Sequence, residues 1–136
     1  MAWKRRRAGS GAVVRATNGT VSKLHNVKVE VDGIAFDSKA EARRYRLLVL
    51  LQDQEQLRGL RVHPKYLLQE AFVDNEGQKV QAIHYEADFE YFDLEVERLV
   101  AEEVKGFVTD LFALKSKMFR KRYPEIEFRI IWAKVV

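Results

Sequence analysis

The sequence predicts an α/β domain in which a mixed sheet is flanked by helices. Three observations carry that expectation. Segments of two-residue and of helical periodicity alternate along the chain, turn-forming residues separate them, and the apolar runs are short. At 136 residues, 47% hydrophobic and 11% aromatic, the chain is of single-domain size with enough apolar material for a modest core. Its longest apolar run, Leu47–Leu51, is far shorter than the ~18 residues of a membrane span. No apolar segment follows the basic residues near the N-terminus, so neither a secretion signal nor a membrane partner is expected, and the expected compartment is the cytoplasm. Cysteine is absent, which excludes disulfides, thiolate zinc sites and cysteine nucleophiles.

The elements follow in order. Val27–Val31 and Ile34–Phe36 form a hairpin around Asp32-Gly33, a dipeptide suited to a type I′ turn. Ser38 opens a helix that runs to about Gln56, with Gly59 as its stop. Tyr66–Val73 is β-rich, and Asp74-Asn75-Glu76-Gly77 is a turn signal. Strands are expected over Ile83–Phe92 and Leu99–Lys105, joined by Asp93–Arg98. A second helix spans about Asp110–Tyr123, with Leu111, Leu114, Met118 and Phe119 spaced for one buried face, and Pro124 ends it. Glu125–Trp132 is the last strand.

Charge divides the chain more sharply than its total suggests. Residues 1–28 hold seven basic groups and no acid, within a net charge of +4. The other 108 residues therefore carry 17 basic and 20 acidic groups. Residues 1–22 read as a basic flexible arm and 23–136 as the folded domain. Lys4, Arg5, Arg6 and Arg7, with Arg15 in the same arm, form either a phosphate-binding arm, because clustered cations release counterions from DNA phosphates, or a solubilising tail. Trp3 in the same arm is either a base-stacking residue or a plain aromatic of a disordered tail, the simpler reading. Lys115 and Lys117 either face the same phosphates or form the wet side of the second helix.

The residues that carry chemistry lie on the two central strands. Alternation places Ile83, Tyr85, Ala87, Phe89 and Tyr91 on a core face, and His84, Glu86, Asp88 and Glu90 on the other. A hairpin centred between Glu95 and Val96 sets Asp88 opposite Glu103 and Glu86 opposite Lys105. Opposed side chains have Cβ atoms only ~4.5–5.5 Å apart. Two carboxylates that close repel, or one holds a proton, unless a cation lies between them. An oxygen donor set favours Mg²⁺ or Mn²⁺ over Zn²⁺, with Lys105 beside the metal to orient water or offset charge on the transition state. The alternative is a plain Glu86–Lys105 ion pair on a solvated face. Glu41 is likewise open between a third carboxylate and the N3 member of a capping box, Ser38-Lys39-Ala40-Glu41. His25, His63 and His84 match no metal spacing and no triad, although His84 shares the predicted face of Asp88.

Asp88, then fourteen residues, then Glu103-Val104-Lys105, with Glu41 upstream, resembles the PD-(D/E)xK nuclease superfamily. The surroundings sharpen the likeness. Val31–Ala42, Tyr85–Tyr91, Glu103–Phe107, Lys115–Phe119 and Tyr123–Ile126 look like a family of small phage-encoded nucleases. Residue 87 is alanine rather than the nominal proline, and Glu103 stands where the family pattern has Asp. The resemblance covers about residues 27–131. It implies a restriction-endonuclease-like core and metal-dependent phosphodiester hydrolysis. By motif, Glu41, Asp88 and Glu103 are metal ligands or their water-mediated supports, the backbone carbonyl of Val104 is a further ligand, and Lys105 is the catalytic lysine. The small size, motif order and basic arm are similar to those of archaeal-type Holliday-junction resolvases. That likeness implies a homodimer acting on four-way DNA, in the host cytoplasm if the chain is phage-encoded. The alternatives are a nicking or flap endonuclease of the same superfamily and a non-catalytic DNA-binding module.

Overall fold

The computed structural model describes residues 27–136. The chain divides into two compact units after Lys39. The expected boundary at residue 22 lies outside the described residues.

In the first unit, β1 (Val29–Val31) and β2 (Ile34–Phe36) pair antiparallel. Asp32 and Gly33 both take positive φ, 54° and 77°, as a type I′ turn requires. The strand starts two residues later than expected.

The second unit holds α1 (Lys39–Asp53), which begins in the last residue of the first. β3 (Leu57–Val62), β4 (Lys65–Gln69), β5 (Phe72–Val73), β6 (Lys79–Val80), β7 (Ile83–Glu86), β8 (Phe89–Asp93), β9 (Arg98–Lys105), α2 (Asp110–Arg122) and β10 (Glu127–Trp132) follow. The main sheet has the order β10-β9-β8-β3, with β10 parallel to β9 and the other pairs antiparallel. It is a mixed sheet with two helices, as the periodicity implied. Among the described residues no helix is long and apolar enough to cross a membrane.

Gly59 does not stop α1. The helix closes three residues earlier than expected, with Glu55 in the left-handed region at φ 59°. Its amide donates to the Gln52 carbonyl, and the Gln56 amide donates to the Leu51 carbonyl. That pair of bonds is a Schellman closure built on a glutamate. Gly59 (φ 68°) instead sits in β3, where the register against β8 slips by one residue between Arg58 and Arg61. It marks a bulge in a strand that local sequence signals do not reveal.

The sheet separates two layers. In β9, Glu102 is paired with Phe89, and Val100 with Tyr91. This face meets α1: the Tyr45 and Phe89 rings stack at 6.5 Å, and Arg44 reaches both oxygens of Glu102. The opposite face carries Ala101, Phe128 and Ile130, which pack with Tyr66, Tyr85, Ala87, Phe112 and Phe119 beneath α2. The five apolar residues expected on one face of a single strand are therefore shared between two cores. Glu90, expected on the wet face, is only 7% exposed; it accepts from Arg61 and from the Tyr66 hydroxyl, each at 2.8 Å.

Helix α2 keeps half of its expected face, since Phe119 is buried and Met118 packs against the core. Phe112, Ser116 and Phe119 are buried, whereas Leu111 and Leu114 are 62% and 56% exposed. The ring of Phe112 lies near Tyr85 and Phe128. An aromatic seven residues from Phe119 buries more area than the leucines on the neighbouring stripe, and it sets the orientation. Thr109 caps the helix, its Oγ1 accepting from the Phe112 amide at 3.1 Å.

Candidate metal centre

The site forms where a long hairpin bends. The β3–β8 ladder ends with Val62 opposite Phe89, and the β4–β7 ladder begins with Lys65 opposite Glu86. The same register continues across the gap, so His63 stands opposite Asp88. Pro64 has no amide to give to the ladder, and His63 takes φ 54°. Together they turn the strand away from the main sheet. A positive φ on a β-substituted residue costs about 1–3 kcal/mol and persists where the surroundings enforce it.

Backbone bonds fix the bend. The His63 amide donates to the Asp88 carbonyl at 2.9 Å, and the Ala87 amide to the Pro64 carbonyl at 3.1 Å. The Asp88 amide turns to β9 and donates to the Glu102 carbonyl at 3.0 Å. Asp88 is thus held between β3 and β9, and its Oδ2 accepts from the Val104 amide at 2.7 Å.

Glu41, in the first turn of α1, completes the group. One ligand atom each from Glu41, His63 and Asp88 lie within 4.8 Å of one another. Donors about 2.1 Å from an octahedral cation are about 3 Å apart when adjacent and about 4.2 Å when opposite, so this spacing fits one divalent ion. Glu41 is the acid of the first turn of α1, the position that both of its expected roles require. His63 is the residue that sequence reasoning passed over. Its signal is its register partner, legible only once β3 is recognised. The group mixes nitrogen with oxygen, and an imidazole suits Mn²⁺ and later transition metals better than Mg²⁺.

Electrostatics describe the same place. Burial first, then the nearby Glu103 and Glu41 carboxylates, push the Asp88 carboxyl up to about 8, against the weaker pull of the Val104 amide and Lys105. Acids crowded in this way hold a proton or a cation.

Glu103 lies outside the three-residue group. Its Oε2 accepts from the Tyr85 hydroxyl at 2.6 Å, and its Oε1 is 3.2 Å from Lys105 Nζ. Burial raises its pKa, while Tyr85 and Lys105 pull it down. Burial and Glu103 raise the Tyr85 phenol far above its usual range, so Tyr85 stays a proton donor. Strand alternation identifies Tyr85 only as core and gives no sign of this bond. Lys105 is half-buried, its Nζ 4.3 Å from the centroid of the Phe112 ring.

The expected register of β8 on β9 is the one observed, with Asp93 opposite Arg98 and Phe89 opposite Glu102. The Glu86–Lys105 pair is not formed: Glu86 belongs to β7 and faces Lys65. Val104 gives Asp88 its amide and pairs with Ile131 of β10. Lys115 Nζ donates to the carbonyl of His84, whose side chain is exposed, and Lys117 is exposed. Lys4, Arg5, Arg6, Arg7, Arg15, Trp3 and His25 lie outside the described residues.

Neither the curated proteins nor the solved structures contain a match to this chain. Residues 21–135 match a family described as a protein of unknown function, DUF1064. The match takes in every described strand and both helices, and the chain belongs to the DUF1064 family.

Proposed function

We propose that this chain is a metal-dependent DNA endonuclease with a restriction-endonuclease-like core, acting as a resolvase of four-way junctions. The observation that carries the reading is the convergence of Glu41, His63 and Asp88 within 4.8 Å, one strand away from the Glu103–Lys105 pair.

Glu41, His63 and Asp88 are the residues that would hold the cation. When bound, the cation lowers the pKa of a water and polarises a phosphoryl oxygen. Asp88 is oriented by the Val104 amide, so its free oxygen has little freedom. Tyr85 holds one oxygen of Glu103, which leaves the other to position Lys105. The Lys105 ammonium is then placed to orient the attacking water, or to offset charge on the phosphate as the ester bond breaks. The homodimer belongs to the same proposal, since symmetric cutting of two strands needs two sites. An exposed apolar stripe at Phe107, Val108, Leu111 and Leu114 offers a surface for a second copy. Lys4–Arg7 and Arg15 provide a sequence-independent hold on the phosphates.

The test is a panel of matched four-way, flap, duplex and single-stranded DNA, incubated with purified full-length protein and Mg²⁺ or Mn²⁺. Cleavage centred on the junction is expected, and none with Asp88→Asn. Equal cutting of junction and linear duplex would remove the resolvase reading and leave the nuclease. Failure to cut any substrate would remove both.

A further inference from the structure

Beside Lys105 lies a groove of about 460 Å³, lined by Lys105, Gly106, Trp132, Ala133 and Lys134. It opens at the ends of β9 and β10, where Trp132 and Lys105 are register partners. Nothing in the proposed cleavage chemistry uses it except Lys105. Trp132 is 42% exposed, which leaves much of a large aromatic side chain in water at the end of a strand. A Cβ built on Gly106 would meet nothing within 4 Å, so the space beside that residue is open. Its volume is within the range of about 300–1,000 Å³ typical of small-ligand sites.

The chemistry of the lining selects the occupant. The lining holds Trp132, an aromatic of the kind that stacks on any base, and two lysines, Lys105 and Lys134, whose positive charge complements a phosphate. Lys105 also contacts Glu103, so the groove shares a wall with the carboxylates. A base in continuous duplex has both faces covered by its neighbours and cannot give one to Trp132. We propose that this groove takes an unstacked nucleotide of the DNA strand at a branch point, next to the phosphate placed at the metal centre. The inference rests on the nuclease reading and deepens it: the groove makes unstacked DNA at a branch point, rather than intact duplex, the substrate class.

The experiment reads Trp132 directly. The sequence has two tryptophans, so the full-length Trp3→Phe chain leaves Trp132 as the sole indole. In EDTA, an eight-residue single-stranded oligothymidylate should quench its fluorescence saturably, and a blunt duplex of the same charge should not. Affinity for the labelled oligomer should fall about tenfold in Trp132→Ala and severalfold in Lys134→Ala, and stay within threefold in Trp132→Phe. No quenching, equal quenching by duplex, or unchanged binding by Trp132→Ala would overturn the proposal. No step depends on cleavage. Lost quenching with cleavage intact refutes the groove alone, and intact quenching without cleavage refutes only the nuclease reading.

Discussion

Asp88→Asn is expected to abolish cleavage and, at the same time, to make the metal-free protein more stable at pH 8. The activity loss should be about a thousandfold or more, corresponding to about 4 kcal/mol of transition-state stabilisation. The stability gain follows from linkage. Burial, Glu103 and Glu41 hold the Asp88 carboxyl up to about 8 in the folded chain, against an ordinary value of 3.8. Between these values the folded protein binds a proton that the unfolded chain has released. Stability of the metal-free protein therefore falls as pH rises from about 4 to about 8. Even half of that shift amounts to about 3 kcal/mol at pH 8. Asparagine keeps an oxygen for the Val104 amide and has no proton to lose. Thermal melts in EDTA from pH 5 to 8.5 should show a falling Tm for wild type and a flatter line for the variant, the two separating by several degrees at pH 8. A structural Asp88 would give the opposite order, with the variant less stable at every pH.

Arg44→Ala is expected to cost about 3–5 kcal/mol of stability, because it strands a buried charge. Glu102 is 0% exposed and is gripped by Arg44 through both carboxylate oxygens, with the Tyr91 hydroxyl as a third donor. Burial and Glu102 raise the Tyr91 phenol above its usual range, which keeps it a donor. Among the described residues no buried side-chain nitrogen or oxygen lacks a partner, so the alanine would create an unsatisfied charge in a satisfied core. Domains of this size have about 5–15 kcal/mol in total. Urea unfolding should show a large drop in midpoint. The double variant Arg44→Met/Glu102→Leu should recover most of it, since removing both charges also removes the desolvation cost. A loss below 1 kcal/mol in Arg44→Ala would contradict this account of the network.

These two residues also show where the fold was legible. The β8–β9 register rested on an assumed hairpin centre between Glu95 and Val96, because Asp93–Arg98 has no glycine or asparagine to fix it. Asp93 fixes the turn instead. Its Oδ1 accepts from the Glu95 and Val96 amides, and Glu97 takes the left-handed position at φ 56°. Alternation over Ile83–Phe92, by contrast, passed unchanged through a bend, because both sides of this sheet are covered and every second residue is buried either way. It therefore concealed the break at Ala87–Asp88. The residues of β3, Leu57-Arg58-Gly59-Leu60-Arg61-Val62, concealed a strand behind a glycine bulge and two arginines. Without β3, His63 had no visible partner, and its place beside Asp88 could not be read. Leu111 and Leu114 misled for another reason: helical spacing groups them with Phe119 but does not rank them against Phe112, which shares a buried face with Phe119.

The central claim is that α1, the end of β3 and the bend before β8 bring Glu41, His63 and Asp88 together to bind one divalent cation. Calorimetric titration of Mn²⁺ into the full-length protein at pH 7.5 tests it most directly. A single saturable site is expected, weakened at least about tenfold by His63→Ala and by Glu41→Gln and lost in Asp88→Asn, with proton release on binding to wild type. Absence of saturable binding, or equal affinity in wild type and Asp88→Asn, would contradict the account.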